Sequence, residues 1–71
     1  MVIKITLDKQ ADAAYIYLKE IAPKEVTETI SLNESVNIDL DSKGQVLGIE
    51  ILDASINLPA NATQSAEIIS A

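Results

Sequence analysis

The chain contains no cysteine, histidine, arginine, phenylalanine or tryptophan. Without cysteine no disulfide can staple the fold, and without cysteine or histidine the usual zinc ligand sets cannot be assembled. Serine has no histidine to activate it, so the common nucleophilic hydrolases have no support. Five lysines stand against eleven acids, a net charge of −6. A DNA or RNA binder needs clustered cations to neutralise phosphates, so no nucleic-acid binding is expected of the isolated chain. No run reaches the apolar length of a membrane-spanning helix, and no membrane partner is expected. The N-terminus enters a strand pattern at once, without a basic head or apolar signal core. A cytoplasmic location follows as the expectation. The triplets Asn33-Glu34-Ser35 and Asn61-Ala62-Thr63 are then chance matches to the glycosylation acceptor.

What the chain has in quantity is branched aliphatic residues: eleven Ile, seven Leu and four Val, beside two Tyr. High Ile and Val content suits strands, where β-branched side chains pack on a pleated surface. Seventy-one residues make one small domain, near the size at which a single core is only marginally sufficient. Small domains add disulfides, a metal or oligomerisation; here self-association is the open route. The acids are unevenly placed. Residues 21–53 carry two Lys and seven acids, so a basic partner would be drawn to the middle of the chain.

Alternation of apolar and polar residues predicts five strands. Residues 2–7 put Ile3, Ile5 and Leu7 on one face. Residues 8–12 form a polar connection, with Asp8 capping a turn. Residues 13–19 set Ala14, Ile16 and Leu18 opposite Tyr15 and Tyr17. Residues 25–32 place Val26, Ile30 and Leu32 inward; Glu28 falls on that inward face, which suggests a bend or bulge. The clearest element is the hairpin over 36–52, around Asp41-Ser42-Lys43-Gly44. Those four suit a type I turn with Gly44 in the left-handed region.

The register of that hairpin has two solutions. Simple pairing of Leu40 with Val46 and Asp39 with Leu47 puts Leu47 and Ile49 beside Asp39, so both faces would be partly buried. A bulge near Val46 restores one apolar face. Beyond Asp53-Ala54-Ser55, a short capped turn, residues 61–71 are a helix candidate with Asn61 as N-cap and an apolar side from Ala62, Ala66, Ile68 and Ile69.

Two strings resemble family signatures: Leu7-Asp8-Lys9-Gln10-Ala11-Asp12-Ala13-Ala14-Tyr15-Ile16-Tyr17-Leu18, and Asn37-Ile38-Asp39-Leu40-Asp41 through Gly44, then Val46 to Ser55. Together they resemble the domain-of-unknown-function family numbered 2283, small prokaryotic β-rich proteins. Leu7 stands where that pattern has an aromatic. The resemblance covers residues 1–55 and leaves 56–71 outside it. It implies a compact, β-rich, cytoplasmic domain with no assigned activity. Association of some members with small toxin-like proteins implies an antitoxin-like role.

Four groups of residues invite a chemical reading. Asp39, Asp41, Gly44 and Glu50 match calcium-loop spacing, but Lys43 replaces an oxygen ligand and strands replace the flanking helices. A hairpin turn built on Asp41 and Gly44 explains them better. Asp8 and Asp12 could pair as acid–base or cation-binding carboxylates, or serve as caps before the second strand. Tyr15 and Tyr17 share a face and could anchor a partner, or stabilise the sheet through cross-strand pairs.

The expected fold is a mainly β, five-stranded, mostly antiparallel meander, with domain residues 1–55 and a short helical or irregular tail over 56–71. The expected function is a non-enzymatic protein-interaction module without cofactor or catalytic residues, homodimeric through Tyr15, Tyr17, Leu47 and Ile49, with a basic protein as possible partner. The alternative is a divalent-cation-dependent small enzyme or ligand-binding subunit using Asp8/Asp12 and Asp39/Asp41.

Overall fold

A computed structural model describes residues 3–69. Val2, Ser70 and Ala71, which the expected first strand and tail helix included, lie outside the described residues, as does the side chain of Ile69. Within them, β1 (Lys4–Asp8), β2 (Ala13–Tyr17), β3 (Glu28–Ser31), β4 (Val36–Leu40) and β5 (Val46–Leu52) are the expected strands. Two short helices follow, α1 (Ala54–Asn57) and α2 (Ala60–Ser65), and then β6 (Glu67–Ile69).

Among the described residues these make a six-stranded mixed sheet in the order β3-β4-β5-β2-β1-β6. The expected meander is corrected in two ways. The β1–β2 hairpin joins the β3–β4–β5 meander through an antiparallel pairing of β2 with β5, and β6 adds a parallel strand beside β1. The tail helix predicted over 61–71 stops at Ser65, where Ala66 turns extended. It starts after Pro59 with no side-chain cap, so Asn61 is not its N-cap. Ile68 pairs with Leu7 instead, because a β-branched pair of residues gains more on an open sheet edge than in a frayed last helical turn. Residues within 56–69 therefore pack onto the sheet built within residues 4–55, β6 beside β1 and Leu58 and Ala66 against the buried cluster.

The β4–β5 register resolves in favour of the bulge. Leu40 faces Val46 while Asp39 faces Gly48, leaving Leu47 as the extra residue. Everything beyond it shifts by one, so Ile49 faces Ile38 and Ile51 faces Val36. One face thus collects Ile5, Leu7, Ala14, Ile16, Ile38, Ile49 and Ile51. Over part of it lie the helices: Leu7, Ala14, Ile51 and Ala54 form the buried cluster, with Leu58 and Ala66 packed against it.

Local polar contacts hold the connections. Asp8 Oδ1 accepts from the N–H groups of Gln10 and Ala11 at 3.0 and 3.1 Å. Asp41 Oδ1 accepts from Lys43 and Gln45 N–H, both at 2.9 Å, and Gly44 takes φ 78°, the left-handed value that the turn demands. Asp12 does something that its neighbours in sequence do not reveal. At φ 53° it turns its carboxylate onto α1, accepting from Ser55 N–H at 3.0 Å and Ser55 Oγ–H at 2.6 Å. Asp53, in N-cap position, makes no side-chain cap bond. Asp12 supplies the missing cap from another element.

Candidate interaction surfaces

Register sorts the polar residues onto the face opposite the helices. Thr6, Tyr15, Glu50 and Asn37 follow one another across β1, β2, β5 and β4, with Tyr17, Gly48, Asp39 and Thr29 in the next rank. Tyr15 leans across β5 above Gly48, where a Cβ would collide with its ring, and donates its hydroxyl to Asp39 Oδ2 on β4 at 2.6 Å. Thr29 Oγ1 donates to the other oxygen, Oδ1, also at 2.6 Å. Asn37 Nδ2 donates to Glu50 Oε1 at 2.9 Å. Tyr15 and Tyr17 meet edge to face with ring centroids 4.6 Å apart, and the Lys4 ammonium stands 5.0 Å from the Tyr17 ring centre. Burial, helped by the hydrogen bond and charge of Asp39, raises the Tyr15 phenol well above its ordinary pKa. Outside this network, the Lys19 ammonium and the Ala22 N–H hold the Glu25 carboxyl below its usual range.

Four residues were expected to share one interface, and the bulge separates them. Tyr15 and Tyr17 lie on the polar face, committed to Asp39, to Lys4 and to each other. Leu47 is buried and Ile49 half-buried, both on the apolar face. Asp41 and Gly44 occupy the turn as expected. The acids of the alternative reading are spread out. Asp8 and Asp12 serve the β1–β2 turn and α1, while Asp41 sits in the turn at the other end of the strands. Among the described residues no three acids converge as a metal ligand set. A groove of about 730 Å³ runs beside Tyr17, lined by Lys4, Lys19, Glu20, Ile21 and Glu67 among others. None of the four aspartates lines it.

Sequence reasoning missed the surface that the structure leaves bare. The helices cover the β1, β2 and lower β5 part of the apolar face, and β3 is exposed along its whole length. Ile30, Leu32 and Val46 are exposed there, beside half-buried Ile38 and Leu40. The alternation of residues 26–32 carried the signal, but only strand order reveals that none of the described residues lies over that end.

The fold defines a small mixed β-sheet covered on one half of one face by two short helices. A family model described as "Protein of unknown function (DUF2283)" matches residues 4–55, and the chain belongs to that family. No curated protein and no solved structure matches it. Among the described residues no helix is long and apolar enough to cross a membrane.

Proposed function

We propose that the chain is a non-enzymatic, cytoplasmic protein-interaction module that docks through the apolar half of its sheet left bare by the helices. One observation carries the reading: Ile30, Leu32 and Val46 stay exposed on the face whose other half buries Leu7, Ala14 and Ile51. Branched aliphatics left in water on one face are costly, by roughly 25 cal/mol for each Å² that a partner would remove, and exposed apolar patches mark interaction sites. The charge adds direction. With a net charge of −6, the chain attracts basic proteins from solution, more strongly at low salt. An antitoxin-like role, in which the opposite face bearing Asp39 and Glu50 holds a basic protein, is a further form of the interaction reading. Against an enzyme built on Asp8, Asp12, Asp39 and Asp41 weighs their engagement in internal hydrogen bonds, and none of the four lines the groove beside Tyr17.

The test is a photo-crosslinking amino acid placed at Leu32 in the native cell. Covalent protein adducts are expected there, and none with the probe at Gln64, exposed on α2. Equal, background-level yields at the two positions would remove the interaction reading.

A further inference from the structure

We infer that the bare half-sheet is covered by a second copy of this chain, apolar face against apolar face. The inference rests on the interaction-module reading and names its partner. The patch consists of Val26, Ile30 and Leu32 along β3 and its flanks, Ile38 and Leu40 on β4, and Val46 at the bulge.

Area is the first argument. The chain exposes 4943 Å², whereas a compact monomer of 7.6 kDa exposes about 4,300 Å² by the size scaling of folded proteins. The excess, roughly 600 Å² over the whole chain with exposed Ile3, Ile56 and Ile68 included, is of the order of the ~800 Å² that each partner loses in a standard interface. The shortfall of core agrees with it. Among the described residues the buried apolar set is Leu7, Ala14, Leu47, Ile51 and Ala54, small for a domain with no disulfide to support it.

Charge selects the partner. On β3, β4 and β5 the register puts one charged residue, Glu28, on the apolar face, opposite Leu40 at the β3 edge. Asp39 and Glu50 point the other way. Two copies meeting face to face therefore bring together faces that carry one acid each, Glu28 at the β3 edge, and turn Asp39 and Glu50 apart, although each chain carries −6 overall. A basic partner would find little to attract it on this face. An isologous contact also needs no surface other than the patch itself.

Sedimentation equilibrium on the full chain at low micromolar concentration should give twice the chain mass. Val46→Lys lies on β5, two strands in from the β3 edge, and Val46 is already 42% exposed. That substitution should raise the dimer dissociation constant by roughly 100-fold or more, as burying an unpaired charge would, with the circular dichroism of the sheet retained. Tyr17→Glu, on the polar face, should leave the mass unchanged. A photo-crosslinker at position 46 of the purified chain should give an adduct of two chains, and this readout holds even if Val46→Lys fails to fold.

A mass of one chain overturns the inference; adducts from Leu32 to a different protein would then leave the module reading standing. A dimer that survives Val46→Lys, or that Tyr17→Glu dissociates, also overturns it. In those cases the contact would use the β3 edge or the polar face.

Discussion

Tyr15 and Gly48 share one volume: the tyrosine ring fills the space that any side chain at position 48 would need. Gly48 lies on β5, between Tyr17 on β2 and Asp39 on β4. Its missing side chain is what lets the Tyr15 hydroxyl cross a strand to reach Asp39. Gly48→Ala should therefore destabilise the fold by about 1–3 kcal/mol, as overpacking does. In a Tyr15→Ala background the same substitution should cost much less. Thermal unfolding of the four proteins of this cycle measures the coupling, and additive costs would mean that the two residues do not compete for space.

The same phenol makes stability depend on alkaline pH. Its folded pKa is raised above the ordinary value of 10.0 by burial and by Asp39. The proton is thus held more tightly in the folded state than in the unfolded one. The stabilisation is whole below pH 10.0 and is lost as pH rises above it, because the unfolded chain then ionises while the folded one resists. Denaturant midpoints should fall from pH 10.0 upward in the wild type. Tyr15→Phe should be less stable at neutral pH and should show a shallower alkaline fall. Parallel pH profiles for the two chains would contradict this origin.

Asp12 carries two demands, a left-handed backbone and the cap of α1. Asp12→Ala loses the cap, worth about 0.5–2 kcal/mol, and adds left-handed strain of roughly 1–2 kcal/mol. Asp12→Asn tolerates the backbone and keeps an acceptor, so it should cost less. Hydrogen exchange at residues 54–58 should accelerate in Asp12→Ala before the central strands are affected. Uniform acceleration across the sheet would show that the contact is not local.

A chain ending at Ser55 retains every residue of the family match but loses Leu58, Ala66 and β6. Leu58 and Ala66 pack against the buried cluster, and β6 pairs with β1. The truncated chain should show no cooperative thermal transition. A sharp transition close to that of the full chain would mean that the tail covers nothing of consequence.

Calcium should bind weakly or not at all. Both oxygens of Asp39 already accept hydroxyl hydrogen bonds, Glu50 accepts from Asn37, and Asp41 holds its own turn. Calorimetric titration with calcium is the check. A sub-micromolar isotherm abolished by Asp39→Asn would reverse the assignment of these residues to the sheet.

Local chemistry made much of the molecule legible in the sequence. Strict alternation wrote β1, β2 and β4. Asp41 and Gly44 wrote the turn, because only a few residues tolerate a left-handed backbone. The absence of cysteine and histidine limited the site chemistry. The sequence also carried both solutions for the hairpin register, and only packing could choose. The bulge at Leu47 puts Ile49 and Ile51 onto the face that α1 and α2 cover, so one residue of slip decides which side of the sheet is dry. Strand order was likewise invisible, since the β2–β5 pairing joins segments more than thirty residues apart and nothing in either segment names its neighbour. The reach of Asp12 to Ser55, the place of Tyr15 over Gly48 and the bare half of the sheet all follow from that order. Long-range contacts exist only once the chain has closed on itself, and tertiary structure alone decided them.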